Sequence, residues 1–400
     1  MLAIKSVKQN YVPTPEILQL MEDFRKMLND CIRIGIAENV TSKKSLNKKA
    51  YHQLLRYNVP TYYRLTAISK AVGIISNYRK TLKQHPEAKK PFATKRMLTD
   101  CYGFRIIGNN LRLVGKHNKG IYIPLNKHTR TVISAYAIRS ISLNTCTLSI
   151  AFSKETPNKT PITGLIGIDR NLDNVTTATL NGQAHVYDLS EVSRIKSVYR
   201  TVKSHLKRND ARIRKKIFGK YGRKQRNRVN QRLHLVTRAI VRQAVADKQG
   251  IVMEDLKGIR KLYRKGNGQG REYRSRLNSW SFYELQRQVE YKAHWEGIPV
   301  IYVKPQKTSS VCSICGSPIT ECAERKVYCS HCKRLMDRDE NAAYNIVQRG
   351  LRFKPDGFAS EAMVKERQTP NPSSRCEPVT LHDPKVNTFD KHLKMLTEPS

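Results

Sequence analysis

Three acids in this sequence stand where an acid is hard to explain. Asp169 ends the apolar run GLIGID, and Glu254 ends GIVME. A carboxylate that closes a short apolar strand loses its water, which is costly unless opposite charge meets it. Asp339 lies in DRDENAAYNI, at the start of a helical pattern whose Ala342-Ala343 surface allows close packing. In the same stretch Asp337 and Glu340 form a capping box, which explains Asp337 as structure and leaves Asp339 as the inward-facing acid. Carboxylates suit Mg²⁺, which takes hard oxygen ligands. Two ions about 4 Å apart support in-line attack on a phosphodiester, one activating water and the other stabilising the departing oxygen. Two Mg²⁺, with Mn²⁺ as a substitute, are the cofactors expected at Asp169, Glu254 and Asp339. Asp173 and Asp255 read as turn or edge residues, because Asp255 falls on the opposite strand face from Glu254.

The second chemistry is that of thiols. Cys312-x-x-Cys315 and Cys329-x-x-Cys332 have the spacing of a four-thiolate zinc site. Four thiolates leave no open position, so the expected Zn²⁺ is structural. Gly316 permits a tight knuckle turn, while Cys322 and His331 lack the pair spacing. Cys31, Cys101, Cys146 and Cys376 are scattered, a pattern that suits a reducing compartment rather than a disulfide scaffold.

The charge balance points to a polyanion. Lys and Arg number 74 against 32 Asp and Glu, a formal net charge of +42. Such a surface repels itself until an extensive anionic partner neutralises it, and nucleic acid is the obvious one. The charge is densest between Arg194 and Arg242, where Asp210 is the lone acid. Lys207, Arg208, Arg212, Arg214, Lys215, Arg223, Lys224, Arg226 and Arg228 are candidate phosphate contacts there. Leu206, Ile213, Ile217, Leu233, Val236 and Ile240 supply an apolar side. No apolar run approaches a membrane span of about 18 residues. The opening MLAIKSVKQNYVP lacks the apolar core of a signal peptide.

The elements that must position these residues can be read in outline. A strand over 1–10 precedes a helix with Thr14 as N-cap and Pro15 in its first turn. A second helix is expected near 44–55. A third follows Pro60, with Leu65, Ile68, Val72 and Ile75 on its buried side. From 102 the period becomes that of strands: two around a Gly-Asn-Asn turn, then IYIPL, then the run from Val132 to Phe152. From 161 a new unit begins with GLIGIDRN, NVTTATL, an Asn-Gly turn and AHVYDLS. A long basic helical stretch over 190–248, with breaks expected at Gly219 and Gly222, leads to GIVMEDL. The amphipathic WSFYELQRQVEYKAHWEG, the strand IPVIYVKP and the acid-bearing helix follow. Three antiparallel strands, helix, parallel strand, helix, parallel strand, helix is the order of the ribonuclease H fold. It makes the first and fourth strands neighbours, so that Asp169 and Glu254 meet. KGNGQGREYR (265–274) is expected to be mobile and close to substrate. The tail from about 352 lacks the periodicity of a core.

GIDRNLDNVTT, VMEDLKGI, the W-S-F-x-x-L and Y-K-A segment, KTSSVCSICG and DRDENAAYNI together resemble the transposon-encoded TnpB proteins, relatives of the compact CRISPR effector nucleases. The resemblance is close over roughly 161–350 and extends to the organisation of the N-terminal part. It implies a multidomain α+β chain. A beta wedge domain (1–12 and 100–160) would carry a helical recognition insert (13–99). A RuvC, RNase H-like nuclease domain (161–308 and 334–352) would hold an inserted four-cysteine zinc ribbon (309–333), followed by a flexible tail (353–400). It implies an RNA-guided DNA endonuclease cutting double-stranded DNA beside a short flanking motif. The family's catalytic acids fall on Asp169, Glu254 and Asp339, and its zinc ligands on Cys312, Cys315, Cys329 and Cys332. The implied partners are a transposon-derived guide RNA and target DNA, with the protein a monomer on its RNA and no membrane involved. The implied location is the cytoplasm of a prokaryote, at the nucleoid when bound to DNA. Two other readings differ in class: a nuclease-inactive RNA-guided DNA-binding protein, and a guide-independent RuvC-like nuclease. Transposition through a nucleophilic tyrosine is disfavoured, since no convincing metal-binding His pair accompanies one.

Overall fold

The computed structural model describes residues 2–40, 42–156, 161–206, 210–264, 266 and 268–352, with Arg214 and Lys215 described by their backbone alone. The chain divides into two compact units, one over 2–155 and one that begins at Thr156.

The first unit runs β1 (Leu2–Asn10), α1 (Pro15–Ala37), α2 (Lys43–Ala50), α3 (Thr61–Gln84), β2 (Met97–Asp100), β3 (Phe104–Ile107), β4 (Asn110–Val114), β5 (Gly120–Pro124), α4 (Lys127–Ile133), β6 (Ala137–Asn144) and β7 (Thr147–Glu155). One antiparallel sheet has the order β1-β7-β6-β2 and another β3-β4-β5, so α1 to α3 are inserted between two strands of one sheet. Thr14 caps α1 by accepting from the Ile17 N–H, with Pro15 at the first helical position. The buried face of α3 is Tyr63, Ala67, Ile68, Ala71 and Ile75. Leu65 and Val72, expected on that face, are half-buried. The small Ala67 and Ala71 let α3 lie against α1, and the Tyr63 hydroxyl reaches the Val114 carbonyl at 2.9 Å. The run from Val132 does not begin as a strand. Asn126 accepts from the Thr129 N–H at 2.7 Å and starts α4, so Val132 and Ile133 are helical and strand resumes at Ala137.

The second unit runs β8 (Gly164–Arg170), β9 (Asn174–Thr179), β10 (Ala184–Asp188), α5 (Ser190–Ser204), α6 (Gly219–Ala246), β11 (Gln249–Glu254), α7 (Arg271–Asn278), α8 (Phe282–Glu296), β12 (Val300–Val303), β13 (Thr320–Glu321), β14 (Lys326–Cys329), β15 (Arg334–Asp337) and α9 (Arg338–Leu351). Its main sheet has the order β10-β9-β8-β11-β12. β8, β9 and β10 pair antiparallel, and β11 is parallel to both β8 and β12. The β9–β10 connection is the Asn181-Gly182 turn, with Gly182 at φ 83°.

Alternation decides what each face of this sheet buries. Ile166, Ile168, Ile251 and Met253 point into a core shared with Leu233, Val236 and Ile240 of α6 and Leu285 and Val289 of α8. Leu165, Val252 and Val303 point the other way, onto Ile346 and Val347 of α9. Gly167 also faces α9, and there only hydrogen fits: a Cβ would lie 2.4 Å from the Ala343 carbonyl oxygen. The helix backbone therefore lies directly on β8. The next residue of that face along β8 is Asp169, and the next after Val252 along β11 is Glu254.

The helix does not break at Gly219 or Gly222: Gly222 lies inside α6, and Gly219, its first residue, has helical angles (φ −62°, ψ −43°) where a π-helical turn passes into α-helix. A glycine costs a helix interior only about 1 kcal/mol, and Tyr221, between the two glycines, packs edge-on against Tyr199 of α5. The break falls earlier. Asp210 accepts from the Arg212 N–H at 2.7 Å, and a π-helical turn over Ile213–Phe218 leads into α6. In the stretch over 265–274, α7 begins at Arg271, while Lys265 and Asn267 lie outside the described residues. The tail over 353–400 also lies outside them.

Candidate active site and metal centre

The structure brings Asp169, Glu254 and Asp339 into one electrostatic neighbourhood. All three are buried, at 8%, 8% and 5% exposure, at the mouth between the strand ends and the first turn of α9. Asp337 is the N-cap of α9: its Oδ1 accepts from the N–H groups of Asp339 at 2.8 Å and Glu340 at 3.1 Å. Burial, then the charges of Glu254 and Asp339, push Asp169 up to about 7. Burial raises Glu254 as well, opposed by its Thr308 hydrogen bond and by the charge of Arg170.

Each acid is held by a donor. The Asn171 amide donates to Asp169 Oδ2 at 2.8 Å and also to Asn174 Oδ1 at 3.0 Å. The Asn174 amide donates to Asp339 Oδ2 at 3.1 Å. The Thr308 hydroxyl donates to Glu254 Oε1 at 2.6 Å. Arg325 donates to Asp339 through Nε at 3.1 Å and through Nη2. Behind the sheet lies Arg170, 2% exposed, whose guanidinium donates to the Glu254 carbonyl and to Gln286 Oε1 at 3.0 Å. It offsets part of the acid charge from the far face. The Trp280 indole N–H donates to the Asn171 carbonyl at 2.7 Å and anchors that loop. Asp173, by contrast, pairs with Arg276 at 2.6 Å, and Asp255 with Lys257 at 3.3 Å. Sequence reasoning missed Arg170, Asn171, Asn174, Thr308 and Arg325. The visible signal for Arg170 was its neighbour, since a residue after a buried acid on a buried strand points into the opposite core.

The cysteines form a finished centre. Cys312, Cys315, Cys329 and Cys332 bring their four sulfurs within 4.8 Å of one another, a cluster able to hold a metal ion. Cys312 and Cys332 sulfurs are 3.9 Å apart, and those of Cys315 and Cys329 3.6 Å. A tetrahedron with Zn–S bonds of about 2.3 Å has edges of about 3.8 Å. A disulfide would need about 2.05 Å. Cys322 is exposed and outside the set, its sulfur 3.9 Å from the Thr320 carbonyl. The cluster is tied to α9 by side-chain amides. Asn341 accepts from the Ser313 N–H and donates to the Val311 carbonyl, both at 2.8 Å. Asn345 donates to the carbonyls of Thr308 and Val311, and Gln348 to that of Ser313.

α6 buries Val229, Leu233, Val236, Ile240 and Val241. Arg223, Lys224 and Arg226 are exposed along it and Arg228 is half-buried, with Arg212 exposed ahead of it. Among the described residues no acid pairs with Arg223, Lys224 or Arg226. Lys207 and Arg208 lie outside the described residues, as do the side chains of Arg214 and Lys215. Among the described residues no helix is long and apolar enough to cross a membrane.

A family model described as Cas12f1-like, TNB domain, matches residues 282–346, from α8 into α9. A TnpB-like protein of Methanocaldococcus jannaschii is 26% identical over 261 residues, 62% of this chain and 92% of that protein. A second TnpB-like protein of that organism is 28% identical over 352 residues, 82% of this chain and 80% of its own length. A cryo-EM structure of Cas12f1 with sgRNA and target DNA covers 84% of this chain and 83% of its own, with TM-score 0.56 at 14% identity. That likeness is one of fold: mixed α+β and multidomain.

Proposed function

We propose that the chain is a member of the TnpB and Cas12f-like family, and from that premise that it is an RNA-guided endonuclease that cleaves double-stranded DNA beside a short flanking motif. The second unit is its RuvC, RNase H-like nuclease domain, with a zinc ribbon carried on Cys312, Cys315, Cys329 and Cys332. The observation that carries the reading is that Asp169, Glu254 and Asp339 are all buried on the α9 face of the sheet, near enough that burial and the charges of the other two push Asp169 up to about 7.

The donor set fits divalent cations: three buried hard-oxygen carboxylates whose charge Arg170 and Arg325 neutralise only in part. Mg²⁺ or Mn²⁺ bound there would activate water and stabilise the departing oxygen of a phosphodiester. The protein's part is to hold the acids in register. Asn171 fixes one oxygen of Asp169 and Thr308 one of Glu254. Arg170 lowers the cost of keeping both ionised from behind the sheet. Arg212, Arg223, Lys224, Arg226 and Arg228 hold phosphates of guide or target without reading bases. Lys207, Arg208, Arg214 and Lys215 extend that face in sequence.

The test is to express the chain with its native flanking DNA and sequence the RNA that co-purifies. A discrete protected RNA ending in a variable segment is expected. It should direct cleavage of matching DNA, and Asp169→Ala should lower the rate by about 10³-fold or more. Heterogeneous RNA, or none, with cleavage retained would favour a guide-independent nuclease. Discrete RNA without cleavage of any target would favour a guided binder.

A further inference from the structure

The ribbon that carries the cysteines also reaches into the carboxylate site. Between β13 and β14, Ala323–Arg325 make one tight turn in which Glu324 and Arg325 both take left-handed angles, φ 56° and 59°. Two such residues in succession are what a tight hairpin turn of this hand requires, closed here by the Lys326 N–H on the Ala323 carbonyl, and the turn delivers a side chain to the site. What it delivers is the Arg325 guanidinium, which spans Asp339. Nε donates to Oδ2 at 3.1 Å and Nη2 donates to Oδ1. Oδ2 already accepts from Asn174 at 3.1 Å, so both oxygens of Asp339 are engaged by donors. The charges of Asp169 and Asp337 add to the field that holds the guanidinium there. A divalent cation needs a free lone pair on Asp339, and it would stand as a second positive charge against the guanidinium. With Asn174 the guanidinium fills three of the carboxylate's roughly four acceptor sites, so the two occupants compete for Asp339. They also differ in freedom to move, because the Arg325 side chain is 53% exposed and that of Asp339 7%. The arginine can swing out, while the acid cannot.

We propose that Arg325 is a counter-ion lock on the carboxylate site: in the nucleic-acid-free protein it holds Asp339 and keeps a divalent cation out until its guanidinium is drawn to another anion. This rests on the reading of Asp169, Glu254 and Asp339 as the cation site. The lock separates folding from loading. Asp339 is paired by the chain's own charge during folding, and the site takes up its cation when a competing anion, such as a phosphate, releases Arg325.

The experiment is Mn²⁺ titration of the full-length protein, ribbon metal retained and nucleic acid removed, with free Mn²⁺ read by electron paramagnetic resonance. Arg325→Gln is expected to bind Mn²⁺ about tenfold tighter than wild type; solvent around the half-exposed guanidinium keeps the gain from being larger. Arg325→Lys keeps the charge without the fork and should fall between the two. Adding Asp339→Asn to Arg325→Gln should abolish the gain. An unchanged thermal transition and an unchanged ribbon metal content show that the variants fold. If Arg325→Gln and Arg325→Lys bind no tighter while Asp339→Asn alone weakens binding, the lock is wrong and the cation site stands. If Asp169→Asn and Asp339→Asn alter Mn²⁺ binding in no background, the cation site itself is wrong, and the lock goes with it.

Discussion

The four-cysteine cluster and the carboxylate trio are neighbours on α9, and they are built on opposite plans. The cysteines come from one stretch, 312 to 332, so closing their loop costs little chain entropy. The acids come from 169, 254 and 339 and meet only after the sheet has formed and α9 has docked. Two of the sulfur–sulfur separations, 3.9 and 3.6 Å, already match the edge of a tetrahedral thiolate site able to hold a metal ion. The carboxylates stand in mutual repulsion, with Asp169 pushed up to about 7 and four side-chain donors holding the group in place. A complete ligand shell suits an ion that stays. An under-neutralised one suits an ion that comes and goes. The difference teaches that buried charge without a full set of partners is a functional signal, whereas a saturated cluster is a structural one.

The largest effect should come from breaking the saturated centre. Cys329→Ser removes one of four thiolates from a fully buried position. Structural zinc supplies on the order of 10 kcal/mol to its domain, so most of the ribbon's order should go with it. Metal content by atomic emission should fall by about one ion per chain, and residues 309–333 should become sensitive to protease. Asp169→Asn should leave that ion in place. A Cys329→Ser protein that keeps its full metal content breaks the comparison, because the cluster would then not be what organises the ribbon.

The middle effect has an inverted sign. Asp169 ionises at 3.8 in the unfolded reference and at about 7 in the fold. Between those values the fold holds a proton that the unfolded chain has lost. Stability therefore falls as pH rises from about 4 to about 7 and levels off above. In divalent-free buffer, wild type should lose up to about 4 kcal/mol relative to Asp169→Asn across that window. Glu22 and Glu284 behave oppositely, being depressed by Arg25 and Arg287, so their contribution is lost as pH falls. Subtracting the Asn variant isolates Asp169. Denaturant unfolding of both proteins at several pH values measures it, and a flat difference would mean that the acid is not under strain.

How much of this was legible in the sequence depends on whether the cause is local. Cysteine spacing is local, and so is an acid that ends an apolar strand. The order of strands and helices followed from the change of period at 161. Gly167 was not legible, because inside GLIGID it reads as one more small residue. Only the α9 backbone lying on it shows why a Cβ is forbidden. Alternation from Asp169 placed Arg170 on the opposite face, but among 74 basic residues that alone did not show it buried, because its burial depends on α8 covering the far face. Arg325 and Asn174 reach Asp339 across folded distance, which no period reports. Gly219 and Gly222 misled in the other direction. Propensity marked a break, and the chain stays helical there with Tyr221 packed on Tyr199 between the two glycines.

The smallest effect tests whether the two centres are coupled. Thr308 lies in the lead-in to the first cysteine pair, is 4% exposed, and donates to Glu254 Oε1 at 2.6 Å. Its carbonyl accepts from Asn345, the same α9 side chain that holds the Val311 carbonyl. Thr308→Val keeps the shape and removes the donor. Burial already raises Glu254, and the Thr308 hydrogen bond opposes that rise, so losing it should raise the carboxyl further. A proton then competes better with a cation for Glu254. Mn²⁺ should bind about fivefold more weakly, corresponding to about 1 kcal/mol, with the deficit widening as pH falls. The ribbon's metal content should not change. A deficit that does not vary with pH would point to displacement of the Thr308 loop rather than to Glu254. Loss of ribbon metal would mean that the saturated centre leans on the open one.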